Sequence, residues 1–85
     1  MAKFEVRVKA SAEKDLSKIP RPEQQRIASA MSALSANPRP TGCKKLVNAE
    51  FWRIRVGQYR VVYSIEDKIL VIEVVRIAHR KEVYR

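Results

Sequence analysis

Eighty-five residues allow one domain with a modest core, so residues 1–85 read as a single unit with few long loops. Hydrophobic side chains make up 46% of the chain, which excludes a disordered protein, and a single cysteine, Cys43, excludes an internal disulfide. Eighteen Lys and Arg against nine Asp and Glu give a formal charge of +9, which predicts attraction to a polyanion, either a nucleic acid or an acidic protein.

Phe4, Val6 and Val8 alternate with Glu5, Arg7 and Lys9, the period of a half-buried strand. Ser11 then offers a helix N-cap, with Glu13 and Asp15 in the first turn. Ala12, Leu16 and Ile19 share one face of that short helix, and Pro20 and Pro22 end it and open the next. Ile27, Met31 and Leu34 recur at helical spacing, which predicts an amphipathic helix packed on a sheet. The run from Asn37 to Gly42, with Pro38 and Pro40, ends it. Everything beyond reads as strand. Trp52, Ile54 and Val56 alternate with Phe51, Arg53 and Arg55. Gly57-Gln58 suits a two-residue hairpin loop with glycine first, and the hairpin continues from Tyr59 to Ile65. A turn at Glu66-Asp67-Lys68 precedes a last strand from Ile69 to Ile77, nearly continuous in Ile, Leu and Val and therefore expected to be covered on both faces. The order β-α-α-β-β-β predicts a two-layer α+β domain, a helical hairpin on one face of a mostly antiparallel sheet.

The basic excess is not confined to one segment: residues 1–43 hold eight basic and four acidic side chains, residues 44–85 ten and five. Any patch must be made by folding. Strand alternation puts Arg53 and Arg55 on one face and Trp52, Ile54 and Val56 on the other, and Arg60 can join the arginines across the Gly57-Gln58 turn. Three guanidinium groups on adjacent strands repel one another unless an anion or a carboxylate compensates, and Glu73 is the acidic candidate. The face reads either as a solvated basic surface or as a phosphate-binding concavity suited to arginine geometry. The C-terminal run, with His79, Arg80, Lys81, Tyr84 and Arg85, reads either as a frayed charged end or as a segment that stacks a base on Tyr84 and holds a phosphate with Arg80.

Other chemistries have little support. No carboxylate cluster suits Mg²⁺, one His and one Cys make no zinc site, and only Gly42 and Gly57 are present, too few for a glycine-rich phosphate loop. A Cys43–His79 nucleophilic pair has no local signature. An enzyme built from these residues would act on a phosphorylated substrate without metal or cofactor. No apolar run reaches membrane-span length, and the alternating start lacks a signal-peptide core, so a cytoplasmic protein with no membrane role is expected.

The stretch from Phe51 to Tyr63 (FWRIRVGQYRVVY) resembles the second and third strands of RelE-type toxins, and the ending from Arg76 to Arg85 (RIAHRKEVYR) resembles their final strand and tail. With the proline-split helical pair and the Lys44-Lys45-Leu46 step, the likeness to the RelE/ParE superfamily spans the chain. It implies a RelE-like microbial-ribonuclease-type fold and a prokaryotic toxin of a type II toxin–antitoxin pair. Such a toxin enters the ribosomal A site and cuts mRNA without a metal, by attack of the ribose 2′-hydroxyl on the adjacent phosphate, and so inhibits translation. By the same resemblance Arg60 stabilises the reacting phosphate, Arg80 stabilises charge or assists the leaving group, and Tyr84 stacks on or orients the cut nucleotide. Arg53 and Arg55 stand where some relatives carry lysines, one of them a proposed proton acceptor. Lys44 and Lys45, with Lys81 and Arg85, fall on the basic approach to rRNA or mRNA.

Two departures from the pattern matter. Arginine stays protonated, so Arg53 and Arg55 are poor general bases, and His79, beside Arg80, is the candidate proton acceptor. Ala78 stands where relatives often have glycine. The partners implied are a RelB-like acidic antitoxin, the ribosome with its rRNA, and mRNA. The main alternative is a ParE-like toxin that binds and poisons DNA gyrase without cutting RNA; a further one is a non-catalytic basic RNA-binding module. The joint presence of Arg60, Arg80 and Tyr84 favours the nuclease.

Overall fold

A computed structural model describes residues 3–47, 49–79 and 81 of the chain. Strand β1 (Glu5–Val8) turns Val6 and Val8 inward and Glu5 and Arg7 outward, as its alternation requires. Helix α1 (Ala10–Ser17) starts two residues earlier than a Ser11 cap would place it. Lys9 is the N-cap and caps with no side chain, while the Ser11 hydroxyl donates to the carbonyl of Val75 at 2.8 Å. Glu13 sits in the first turn, but Asp15 lies beyond it and accepts the Ile77 amide at 3.0 Å. Two residues that suit a helix start are thus used across the molecule instead.

Ala12 and Ile19 are buried and Leu16 packs against the core, so the expected face of α1 forms. Pro20 is the N-cap of α2 (Arg21–Ala33) and Pro22 lies in its first turn, where a missing N–H costs nothing. Gln24 of α2 reaches back and donates to the carbonyls of Leu16 and Ile19, each at 2.9 Å, tying α2 to the end of α1. Ile27, Met31 and Leu34 face the sheet and are buried.

The second half supplies β2 (Lys44–Lys45), β3 (Trp52–Val56), β4 (Tyr59–Glu66) and β5 (Val71–His79). The sheet runs β1-β5-β4-β3-β2; β1 lies parallel to β5 and the other pairings are antiparallel. The architecture is the expected α+β two-layer one, with the two-residue edge strand β2 added to the expected order. Val56 pairs with Tyr59 across a two-residue loop in which Gly57 takes φ 59°. An L side chain is disfavoured at that φ, and a Cβ there would also meet Arg26 Nη1 at 3.6 Å, because the Arg26 guanidinium lies over the turn.

The last strand starts later than its hydrophobicity suggests. Ile69 and Leu70 lie in a turn spanning residues 67–70, with Leu70 at φ 55° and Ile69 67% exposed. The Leu70 carbonyl there receives the Glu5 amide at 2.8 Å and so aligns β1 with β5. From Val71 to Val74 β5 lies between β1 and β4 and is largely buried on both faces. Its register against β4 shifts once: Arg76 faces Val62 but Val74 faces Tyr63, leaving Val75 as a bulge.

The core between helices and sheet is built on Ile27, Leu34, Val61, Tyr63, Ile72 and Val74, all fully buried. No helix among the described residues is long and apolar enough to cross a membrane.

Candidate functional site

The face of the sheet turned away from the helices follows from the ladder register. One row across the strands reads Lys44, Arg53, Val62, Arg76; the next reads Arg55, Arg60, Ala78. Intervening residues (Trp52, Ile54, Val61, Tyr63, Ile77) join the helix-side core. Arg53, Arg55 and Arg60 therefore share one surface, as strand alternation and the short hairpin loop require. Arg55 and Arg60 are direct cross-strand partners.

Val62 and Ala78 on this face are only 4% and 2% exposed, yet they lie outside the helix-side cluster. The register flanks them with Arg53 and Arg60, whose aliphatic stems can cover apolar surface while the cationic heads stay wet. The result is an apolar floor bordered by arginines.

Among the described residues no carboxylate lies within ion-pair distance of Arg53, Arg55 or Arg60. Among the described residues the ion pairs are Arg7–Glu5, Lys9–Glu73, Arg39–Asp67 and Lys45–Glu50. Glu73, expected to offset the arginines, lies beside Arg7 in the register with a carboxylate oxygen 4.0 Å from Lys9 Nζ. The Nε of Arg60 is buried and has no hydrogen-bond partner among the described residues. An orphaned buried donor costs about 1–3 kcal/mol, more on a charged group.

The remaining expected site residues are distributed as follows. Lys44 extends the arginine row opposite Arg53, whereas Lys45 falls on the Trp52 side and lies 3.6 Å from Glu50. His79 pairs with Tyr59 and stacks edge-on against it, centroids 5.3 Å apart at 84°, on the helix side of the sheet. It lines a polar cleft of about 290 Å³ with Asp15, Lys18, Ile19, Tyr59 and Arg76. Its Nδ1 accepts the Lys81 amide at 3.1 Å. A neutral imidazole accepting there carries its proton on Nε2, so the lone pair a proton acceptor needs is already engaged. The structure does not bring His79 to the arginine face. Lys81 is exposed. Arg80, Tyr84 and Arg85 lie outside the described residues.

Cys43 and His79 are not brought together either. Cys43 precedes the edge strand and lies beside Tyr63, with β3 and β4 between it and β5. Tyr63 donates its buried hydroxyl to the Pro38 carbonyl at 2.8 Å, and burial, reinforced by Cys43, pushes the phenol well above its ordinary range. Among the described residues no group of three His, Cys, Asp or Glu could hold a metal ion.

Two cations escaped the sequence reading. Arg76 has the open-face parity of Ala78, a signal available only once the β5 register is known, and its side chain lines the cleft beside His79. Arg39 stands over the Trp52 ring at 5.1 Å and makes two hydrogen bonds to Asp67, at 3.2 and 2.9 Å, which raise its own pKa and lower that of Asp67. Nothing in the sequence linked these three residues.

The family model of the ParE toxin of the type II toxin–antitoxin system parDE matches residues 6–84. The chain belongs to this family. It is a toxin of a type II toxin–antitoxin system, within the RelE/ParE superfamily. No curated protein matches it. Among solved structures it is similar to the toxin in the RelBE2 toxin–antitoxin complex of Mycobacterium tuberculosis, at 28% identity over 93% of this chain and 100% of that one, with a TM-score of 0.84. It is also similar to the archaeal RelE–RelB complex of Pyrococcus horikoshii, at 25% identity over 95% of this chain and 99% of that one, TM-score 0.84. The Escherichia coli RelE toxin, at 20% identity over 95% and 86% of the two chains and a TM-score of 0.78, shares the fold. The family's two-helix, mixed-sheet architecture is thus the one observed here.

Proposed function

We propose that this toxin is a ribosome-dependent, metal-independent endoribonuclease that cuts mRNA in the A site and so inhibits translation. The observation that carries the reading is Arg60: it shares a face with Arg53 and Arg55, and among the described residues its Nε has no hydrogen-bond partner and no carboxylate lies within ion-pair distance of the three. Attack of a 2′-hydroxyl on the neighbouring phosphate concentrates negative charge on the phosphoryl oxygens. Donors already in place and already desolvated stabilise that charge most. In this reading Arg60 faces the reacting phosphate, Arg53 and Arg55 hold the flanking backbone, and Lys44 continues the track toward rRNA.

Arginine does not deprotonate at working pH, so none of the three takes the 2′-hydroxyl proton. His79 can do so only if its Lys81 contact opens and the substrate reaches around the strand end. Arg80 and Tyr84 complete the proposed machinery as leaving-group and stacking residues, with Lys81 and Arg85 as further RNA contacts. A cognate acidic antitoxin is the natural partner of so basic a face, and the Mycobacterium tuberculosis and Pyrococcus horikoshii relatives are found in antitoxin complexes.

The matching family model is that of a ParE toxin, which favours one other reading, binding and poisoning of DNA gyrase. A translating extract containing plasmid and gyrase separates the two. The nuclease reading expects mRNA cut in codon register by the wild type and spared by Arg60→Ala and Arg80→Ala. Intact mRNA with blocked supercoiling supports the gyrase poison.

A further inference from the structure

Strand β5 loses its neighbour half-way. Strand β1 covers its outer edge only as far as Val74, whose carbonyl receives the Lys9 amide at 2.9 Å. The chain then leaves the sheet and becomes α1, while β5 continues for five more residues to His79. Backbone groups left on such an edge either meet water or find a substitute partner. Here helix side chains replace the missing strand. Ser11 Oγ donates to the Val75 carbonyl at 2.8 Å, and Asp15 Oδ2 accepts the Ile77 amide at 3.0 Å. Ser11 and Asp15 are four residues apart and so lie on one face of α1. One of the two groups belongs to the bulged residue Val75 itself, and the other lies two residues further along β5.

A bulge re-aims the strand that carries it. Val75 has no partner on β4, so the bend here is unsupported on the sheet side. The two α1 bonds are what fix it on the other. The described residues beyond the bend are displaced with it: Ala78 on the arginine floor, and His79.

We propose that Ser11 and Asp15 are positioning residues, a side-chain clamp that fixes the bend in β5 and thereby the placement of Ala78 and His79 beside Arg60 and Tyr59. The functional part of this proposal rests on the ribonuclease reading. Neither residue reaches the open face, so neither touches RNA. Their effect is transmitted through the strand.

The test uses the full-length toxin and three variants: Asp15→Ala, Asp15→Asn and Ser11→Ala. Rates of mRNA cutting are measured against ribosome concentration in a translating extract, and backbone amide shifts and exchange are followed by NMR. An asparagine can still accept the Ile77 amide, so Asp15→Asn keeps both the cutting rate and the Ile77 protection. Asp15→Ala exposes the Ile77 amide, moves the Ala78 and His79 amide signals, and lowers the maximal cutting rate by about 10- to 100-fold, as small misplacements of reacting groups do. The ribosome concentration at half-maximal rate stays unchanged. Ser11→Ala shifts the same signals and rate in the same direction by less, and serves if Asp15→Ala does not fold.

Unchanged Ala78 and His79 signals in both alanine variants overturn the clamp whatever the enzyme does. So does a folded Asp15→Ala protein that cuts at the wild-type rate, or an Asp15→Asn protein as impaired as Asp15→Ala with its Ile77 amide still protected. A wild-type protein that cuts no mRNA refutes the ribonuclease reading instead. The amide signals then decide the clamp alone.

Discussion

Arg55 and Arg60 face each other directly across the β3–β4 ladder, two like charges at a position where opposite charges stabilise a sheet. The arrangement is unfavourable for folding and favourable for an anion, and Arg60 adds a buried donor with no partner among the described residues. Stability and activity should therefore move in opposite directions at this site. Arg60→Met keeps the apolar stem over the floor and removes the charge. It should raise unfolding free energy in urea by about 1 kcal/mol, from relief of like-charge repulsion and of the unsatisfied donor. It should also lower mRNA cutting by about 100-fold or more, the usual cost of removing one transition-state donor.

His79 tests how much of the chemistry lies on the other side of the sheet. It stacks on Tyr59 and accepts from Lys81, away from the arginine face. His79→Ala should leave cutting within a few-fold of wild type, measured in the same extract over a range of pH. A loss of about 100-fold or more, the scale of a missing general base, would place the imidazole in the mechanism.

Tyr63 anchors the loop before β2 through its bond to the Pro38 carbonyl. Tyr63→Phe should cost about 1 kcal/mol in denaturant unfolding, the worth of one buried hydrogen bond. The pH dependence has a definite sign. The folded phenol titrates above its ordinary 10.0 because burial disfavours the phenolate. The unfolded chain ionises first, so this stabilisation is complete below pH 10 and is lost as pH rises toward the folded value. A spectrophotometric titration should show one of the three tyrosines resisting ionisation until the protein unfolds, and Tyr63→Phe should remove that delayed step.

Trp52 is the only tryptophan, and Arg39 stands over its ring while bonded to Asp67. Fluorescence therefore reports on this surface trio. Asp67 has a lowered pKa in the folded state, chiefly from its hydrogen bonds to Arg39, so its contribution is present above its ordinary 3.8 and is lost as pH falls through the folded value. Wild-type Trp52 emission should change in that acid range before global unfolding. Asp67→Asn should shift the emission already at neutral pH and change stability little, since exposed pairs contribute little. Identical acid titrations for the two proteins would show that the pair does not hold Arg39 on the ring.

The sheet faces were legible because Trp52, Ile54 and Val56 alternate with Arg53 and Arg55, and because Gly57 at φ 59° fixes a two-residue loop that hands the parity on to Arg60. The start of β5 was not. Ile69 and Leu70 have strand-forming side chains, yet the turn needs Leu70 at φ 55° to present its carbonyl to Glu5, and no glycine marks the place. The bulge at Val75 was equally silent, and it moves the parity that decides which of Arg76 and His79 joins the arginines. Ser11 and Asp15 suggested a helix start, but Lys9 is the N-cap and both side chains bond to β5 instead. Patterns of period two survive folding here. Features fixed by contacts across sixty residues of chain have no local signature.

The most direct measurement is 5′-end mapping of mRNA in a translating extract with wild-type toxin and with Arg60→Met. Attack by a 2′-hydroxyl leaves a cyclic phosphate on one fragment and a 5′-hydroxyl on the other. The wild type should therefore produce codon-register ends bearing 5′-hydroxyls, and the more stable Arg60→Met protein should produce almost none. Undiminished cutting by Arg60→Met, or intact mRNA with the folded wild type, would contradict the arginine face as a ribonuclease site.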